Sequence, residues 1–186
     1  MWRRSYLFAT ALTASLTFIF PVSLSRGADL SREYQVKAAF LFNFAQFVEW
    51  PPQSFTDNVS PLVIGIYGTD PFGSFLDDTV RGEVIRGRRI QIKRCDKLAD
   101  VKSCHILFVG QSEAGNPDHI FVATKGKPVL TVSDIPGSRQ SGVIIWFTTE
   151  QNRIRFHINN EAAREAGLSV SSKLLRAAQD SSGEKK

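Results

Sequence analysis

Ser112 is the first residue whose surroundings suggest catalysis. It lies in Gly110–Gly115, GQSEAG, directly after the apolar segment HILFVG. The nucleophile elbow of hydrolases has the pattern G-x-S-x-G, whereas here the second glycine comes one residue later. The downstream sequence also offers no evident pair of acid and histidine partners. We interpret the segment as a turn after a strand, and hydrolysis through Ser112 is the weaker hypothesis.

The segment Arg153–Ile158, RIRFHI, alternates cationic and apolar side chains. In a β-strand this alternation places Arg153, Arg155 and His157 on one face and the apolar residues on the other. Two guanidinium groups beside an imidazole can bind a carboxylate or a phosphate group. The alternative is a solvated sheet face whose cations pair with neighbouring acidic residues. Two further cations could reach the same region, Arg164 and Lys173.

The sequence has two cysteines, Cys95 and Cys104, which lie nine positions apart in CDKLADVKSC. In an oxidising compartment an even pair predicts a disulfide. A small loop of this kind stabilises a fold by about 2–3 kcal/mol. Metal ligation and a reactive thiol are the alternatives, although metal sites need tighter spacing and more ligands. The adjacent His105 begins an apolar run and is expected in or beside a sheet.

Other signals for metal or phosphate binding are weak. The histidines His105, His119 and His157 are scattered, and no H-E-x-x-H motif occurs. GTDPFG, at residues 68–73, lacks the lysine and the glycine spacing of a P-loop. Its place after a strand would still suit part of a ligand crevice. We expect no metal, no cofactor and no enzymatic activity.

Residues 1–27 have the layout of a cleaved signal peptide. Arg3 and Arg4 precede an apolar run, Leu7–Phe20, and small residues follow it near Gly27. The run is short for a membrane span, which needs about 20 residues, so an uncleaved anchor is the weaker alternative. Residues 28–180 would then form a single domain that does not span the membrane, followed by a polar tail at 181–186.

Export changes the interpretation of the charge. The chain has 186 residues and a formal net charge of +5. Residues 1–27 contain three arginines and no acidic residue, which leaves +2 for residues 28–186. Nucleic-acid binding needs a concentrated basic footprint, so the charge of the exported chain argues against this class of partner.

The aromatic segment FLFNFAQFVEWPP, residues 40–52, belongs to a helix predicted over Arg32–Val48 and capped by Asp29 or Ser31. At 100° per residue one apolar face contains Tyr34, Ala38, Leu41, Ala45 and Val48. Polar residues on the opposite side argue against a membrane span. We expect a core helix whose second stripe reaches a dimer or partner surface, formed by Phe40, Phe44, Phe47 and Trp50.

The remaining pattern predicts an α/β fold: a mixed sheet flanked by helices that ends in an antiparallel hairpin and C-terminal helices. Strands are expected at Leu62–Tyr67, RRIQIKR, His105–Val109 and PVLTV, and the hairpin joins GVIIWFTT to RIRFHIN. Helices are expected after Thr69 or Asp70 with Pro71 at the first position, at Asn116–Ala123, from Asn159 or Asn160 to Gly167, and at Ser172–Gln179. The early strands should be parallel.

Four stretches, in order, resemble the YfiR-like family. They are YQVKAAFLFNFAQFVEWP, PLVIGIYGTDPFG, CHILFVG and RIRFHINNEAAREAGLSVSSKLL, and they cover about Tyr34–Leu175. The resemblance implies a bacterial periplasmic protein without enzymatic activity. Such a protein represses an inner-membrane diguanylate cyclase by binding the periplasmic domain of that cyclase. Lower cyclic di-GMP and less biofilm follow, and an outer-membrane lipoprotein can sequester the repressor.

The resemblance also implies a homodimer, dependence on disulfide state, and contacts near the terminal hairpin and helices. In this chain that region contains Arg153, Arg155, His157, Asn159, Arg164 and Lys173. Cys104 matches a family cysteine. The best-known member of the family has two disulfides, whereas this chain, with two cysteines, can form only one. A periplasmic module that senses a small molecule, such as a nucleotide or amino acid, through Arg153 and Arg155 is the alternative function.

Overall fold

The computed structural model describes residues 25–151 and 153–182. Its helices are α1 (Ser25–Phe47), α2 (Ser74–Val80), α3 (Leu98–Val101), α4 (Asp118–Thr124), α5 (Asn160–Glu165) and α6 (Ser172–Ser182). Its strands are β1 (Val48–Glu49), β2 (Leu62–Tyr67), β3 (Val84–Ile85), β4 (Arg88–Cys95), β5 (Ile106–Val109), β6 (Leu130–Ser133), β7 (Ile145–Glu150), β8 (Arg153–Ile158) and β9 (Ser169–Val170). Most of the predicted signal peptide, residues 1–24, lies outside the described residues, as does 183–186 of the predicted tail.

Seven strands form one mixed sheet in the order β3-β4-β2-β5-β6-β7-β8. The strands from β4 to β7 run parallel to their neighbours, while β3 and β8 are antiparallel at the two edges. This architecture confirms the predicted α/β class, the parallel early strands and the terminal hairpin. No helix in the described ranges is long and apolar enough to cross a membrane.

Helices cover both faces of the sheet, which explains why β2 is apolar on both sides. Residues of α1, α2, α5 and α6 pack on one face in the larger core. Residues of α3 and α4 pack on the other face in a smaller core that includes both cysteines. Parallel strands are stable in this position because neither of their faces meets water.

Helix α1 begins earlier than its predicted start, so Asp29 and Ser31 lie inside the helix and neither caps it. The predicted inner face is correct: Tyr34, Ala38, Leu41, Ala45 and Val48 are all buried. A dimer or partner surface on the second stripe stays a prediction at Phe40 and Phe47 and is contradicted at the other two positions. Phe44 is fully buried and Trp50 is 8% exposed, so neither belongs to a dimer or partner surface, whereas Phe40 and Phe47 are half-buried.

Two aromatic residues of α1 pack against the terminal hairpin, which explains the burial of Phe44. The rings of Phe40 and Phe44 lie 5.1 and 5.2 Å from the ring of Phe156. They lie 5.8 and 6.0 Å from the ring of Phe147. Aromatic pairs at such distances add stabilisation beyond the area they bury. The side of the hairpin that faces α1 is therefore fixed by four phenylalanines.

The helix predicted after Thr69 or Asp70 was placed too early, because α2 begins at Ser74. Asp70 accepts a hydrogen bond from the backbone N–H of Phe72 and forms an ion pair with Arg94. Asp70 therefore stabilises the turn before the helix, and Pro71 is not at the first helical position. Asn159 was predicted correctly, since its side chain accepts from the N–H of Ala162 and caps α5.

A buried ion pair joins α1 to the sheet. Lys37 Nζ lies 2.6 Å from Asp134 Oδ2, and both side chains are 2% exposed. Tyr34 donates its hydroxyl to the same oxygen at 2.9 Å, and Glu33 also pairs with Lys37. Burial and the neighbouring Asp134 carboxylate raise the pKa of Tyr34 well above its usual range, so its hydroxyl stays a donor.

The Lys37→Met variant should lose about 3–5 kcal/mol of unfolding free energy, because Asp134 would keep a buried charge without its partner. The double variant Lys37→Met/Asp134→Leu removes both charges and should recover most of that loss. Urea denaturation measures both effects, with Lys125→Met as a control at an exposed lysine. Equal stability of Lys37→Met and the wild type would show that the ion pair is not buried in solution.

His105 is a structural histidine that ties the loop after β1 to the sheet. Its Nδ1 accepts from the N–H of Val63 at 3.0 Å, so the proton lies on Nε2, which donates to the carbonyl of Ser54 at 3.1 Å. Burial lowers the pKa of His105 below its usual value near 6.5. The folded protein therefore holds this imidazole neutral.

Stability should fall as the pH drops below about 6.5, because the unfolded chain then binds a proton at His105 that the folded chain refuses. The contribution of one group is at most about 1.4 kcal/mol per pH unit. His105→Asn keeps an acceptor for Val63 and cannot titrate, so its pH dependence between 6.5 and 5 should be flatter. A His119→Asn control should follow the wild type, since His119 is exposed; identical slopes for all three proteins would contradict this role.

Candidate interaction site

The cationic residues of β8 lie on the face of the hairpin opposite α1, as predicted. The register pairs Trp146 with His157 and Thr148 with Arg155. Phe147 and Phe156 alternate with them and are buried beneath α1. We call the face that carries Trp146, Thr148, Arg155 and His157 the outer hairpin face.

An aromatic stack lies at the centre of the outer hairpin face. The imidazole of His157 is parallel to the indole of Trp146, with an interplanar angle of 13° and 5.2 Å between ring centroids. His157 Nε2 lies 3.0 Å from Thr148 Oγ1. The guanidinium group of Arg139 lies 5.7 Å from the centre of the Trp146 ring. The Trp146 ring is therefore flanked by the imidazole of His157 and by the guanidinium group of Arg139, which forms a cation–π contact with it.

Arg155 is half-buried and forms an ion pair with Glu150, whose Oε2 lies 3.1 Å from Nε. The expectation that cations of this strand pair with neighbouring acids is therefore met at one position. Arg153 is exposed at the end of β8, opposite Glu150. A ligand or partner that binds Arg155 would have to compete with Glu150, which is itself half exposed to water.

The other predicted site residues lie on different elements. Asn159 caps α5, and Arg164 is exposed on that helix. Lys173 on α6 lies on the opposite side of the sheet, with its Nζ 5.0 Å from the centre of the Phe47 ring in α1. The structure thus brings together Arg153, Arg155 and His157, and it does not bring Lys173 to them.

Sequence reasoning missed Trp146, Thr148 and Arg139 as parts of this face. Trp146 and Thr148 could have been found, because the alternation in IWFTTE puts them in phase with the outward residues of the paired strand. Arg139 could not, because it belongs to the short 3₁₀ helix Ser138–Ser141 before β7. Contacts from such irregular segments leave no periodic pattern.

Ser112 has no catalytic surroundings. Its hydroxyl accepts from the N–H of Thr69 at 3.0 Å and donates to Glu113 at 3.2 Å. Among the residues described, no histidine hydrogen-bonds to this hydroxyl. The cleft beside it contains Asp96 and Glu113, which would repel an anionic ligand. Over the same ranges, no cluster of three or more potential metal-ligating side chains occurs.

The chain matches the protein-family model described as YfiR/HmsC-like over residues 34–179. The chain belongs to this family. The match includes α1 from Tyr34 onward, the whole seven-stranded sheet, the outer hairpin face and most of α6. Membership of this family suggests a periplasmic regulator linked to a diguanylate cyclase. No curated protein matches the sequence.

The two cysteines lie side by side within the smaller core. Both are free and buried, and their Sγ atoms are 3.8 Å apart. Burial raises the pKa of Cys104 to about 12 and also raises that of Cys95. Thiolate is the reactive form, so these thiols are weak nucleophiles when folded. A disulfide between them stays a prediction, since only the proximity is observed.

Gly65 in the centre of β2 makes room for Cys104. A Cβ atom at Gly65 would overlap the Cys104 sulfur and come within 3.2 Å of Leu107 Cδ1. A glycine inside an otherwise apolar strand is a recognised signal of such a close approach. The position of Cys104 against the sheet therefore depends on the absence of a side chain at Gly65.

Gly65→Ala should lose about 1–3 kcal/mol of unfolding free energy because it overpacks the core beside Cys104. The same substitution should cost less in a Cys104→Ala background, where the overlapping sulfur is gone. Urea denaturation under reducing conditions measures this coupling. Gly115→Ala is the control, because nothing lies within 4 Å of its added Cβ. Additive effects of the two substitutions would contradict the contact.

Proposed function

We propose that this protein is a periplasmic repressor that binds the periplasmic domain of an inner-membrane diguanylate cyclase and keeps the cyclase inactive. Lower cyclic di-GMP and less biofilm would follow. Family membership supports the class of function. The observation that carries the proposal is the outer hairpin face, where a half-buried Trp146 stacks on His157 beside Arg139 and Arg155.

The composition of the outer hairpin face suits a protein partner. Tryptophan and arginine are the residues most enriched among interface positions that dominate binding energy. Trp146 is held in place by packing against the smaller core, so little side-chain entropy would be lost when it binds. The nearby cations, Arg139 and Arg155, favour an acidic surface on the partner. Such a pairing of opposite charges would also accelerate association.

Repression of this kind needs binding and no chemistry. A membrane cyclase has inactive and active arrangements, and a protein that prefers the inactive one shifts the population between them. A hundredfold shift requires a difference in binding free energy of about 2.7 kcal/mol. A few well-packed contacts around one tryptophan are enough for a difference of this size.

Several further parts of the proposal rest on the family and the sequence. Cleavage of residues 1–27 would deliver the protein to the periplasm, where an outer-membrane lipoprotein could sequester it. A homodimer could use the half-buried Phe40 and Phe47 of α1. A bond between Cys95 and Cys104 would stabilise the exported protein under oxidising conditions.

A small-molecule sensor is the second candidate function. The aromatic pair Trp146 and His157, with the guanidinium group of Arg139 over the Trp146 ring, is also suited to a planar anion. Thermal stabilisation of the purified protein by a nucleotide or amino acid, lost in Arg155→Ala, would favour this function.

The test is the intracellular cyclic di-GMP level of the host. Deletion of the gene should raise it, and complementation with the wild type should restore it. Arg139→Glu and Arg155→Glu reverse charges on the outer hairpin face and should fail to restore it. Arg164→Glu, the matched charge reversal on α5, should restore it.

Equal complementation by all three charge-reversal variants would remove the outer hairpin face from the proposal. An unchanged cyclic di-GMP level in the deletion strain under several growth conditions would contradict the repressor function itself. Periplasmic abundance of each variant, measured by immunoblot, separates a loss of binding from a loss of folding.

A further inference from the structure

A second concave site lies at the end of the sheet where its parallel strands begin. It is a pocket of about 300 Å³ at the start of β2 and β4. Its floor and walls are apolar and come from Trp50, Pro52, Phe55, Leu62 and Ile85. Its polar groups come from Asn58, Arg86 and Arg88. Pockets of this size, apolar with a few fixed polar groups, are typical of small-ligand sites.

Arg88 is held rigidly at this pocket. Its Nη1 donates to the carbonyls of Asp57 and Ser60, both at 2.8 Å, and to the Ser60 hydroxyl at 3.1 Å. Its guanidinium group lies 3.7 Å from the centre of the Phe55 ring. The Phe55 ring also stacks on the imidazole of His105, with 4.3 Å between the ring centroids. The positive charge is therefore fixed between the loop and an aromatic ring.

Among the residues described, no carboxylate accepts a hydrogen bond from Arg88. Every group that accepts from it is neutral, and it takes part in no ion pair within the described ranges. The carboxylate of Asp57 instead accepts from the N–H groups of Val59 and Ser60. Nη2 and Nε of Arg88 keep three N–H groups for a further acceptor.

Arg86 reaches the same pocket from an unfavourable backbone position. It has a φ of +51° and is followed by Gly87 at +80°, which together form the two-residue turn between β3 and β4. Such turns favour Asn-Gly because both residues need a positive φ. Arg86 donates to the carbonyl of Val48 and to Glu49 Oε1, both at 3.0 Å. Backbone strain of this kind collects at functional sites.

We propose that this pocket binds a small apolar carboxylate, an aliphatic or aromatic acid of about ten non-hydrogen atoms. Its apolar body lies against Trp50, Leu62 and Ile85. Its carboxylate accepts from the remaining N–H groups of Arg88, in the paired geometry that guanidinium groups favour. It also accepts from Arg86, where it competes with Glu49. The site is separate from the outer hairpin face and does not depend on the proposed repressor function.

The probe is 3-phenylpropionate, and the neutral analogue 3-phenylpropan-1-ol is its control. Titration is followed by the indole N–H signals of Trp50 and Trp146 in ¹H–¹⁵N NMR spectra, which are assigned with Trp146→Phe. We expect a saturable shift of the Trp50 signal with the acid, at least about tenfold weaker binding of the alcohol, and no saturable shift of the Trp146 signal.

Arg86→Asn is the sharpest variant, because asparagine suits the turn better than arginine. It should fold with stability close to the wild type, measured by urea denaturation, and bind the acid at least about tenfold more weakly. Arg88→Gln should weaken binding in the same way. Arg89→Gln, an exposed neighbour on β4, should bind as the wild type does.

Three results would overturn the proposal: no saturable shift of Trp50, equal affinity for the acid and the alcohol, or unchanged affinity in a folded Arg86→Asn protein. Because the readout is direct binding, none of these results bears on cyclic di-GMP. A failure of the repressor hypothesis would likewise leave this test unaffected.

Discussion

The buried ion pair between Lys37 and Asp134 is the constraint on which the arrangement of this fold depends. Two unit charges that are removed from water lose several kcal/mol of solvation each, and only close contact offsets the loss. Lys37 meets this requirement through Asp134, with Tyr34 on the same oxygen. A rotation of α1 about its axis would separate these groups, so the rotational position of the helix is fixed.

That position determines which aromatic residues of α1 meet the hairpin. Phe40 and Phe44 pack on Phe147 and Phe156. In an antiparallel pair, the residues between them must point the other way. The outward direction of Trp146 and His157 is thus a consequence of contacts made on the far side of the sheet. A surface suited to binding is held in place by core packing that a partner would never touch.

The sequence predicts this much because regular elements have regular periods. The alternation in RIRFHI assigned both faces of β8 correctly, and the cap at Asn159 was found because one side-chain hydrogen bond defines it. Phe44 was wrongly predicted at a surface, because the helical period of the sequence alone cannot distinguish a second buried stripe from an exposed one. The pairing of β1 with β9, and the turn at Arg86, depend on tertiary contacts of two-residue segments. Arg139 contacts the site from an irregular segment, and Lys173 lies on the opposite side of the sheet from the site. The sequence pattern predicted neither position.

The two-residue pairing of Val48 with Val170 and Glu49 with Ser169 has a consequence for the timing of folding. It joins the end of the first helix to a strand near the carboxyl end of the domain, so most of the domain separates the two partners. Contacts of such long range form slowly and late. During synthesis the aromatic stripe of α1 therefore has no complete packing surface until the last strands emerge. The final topology therefore closes only when the last segment of the domain has been synthesised.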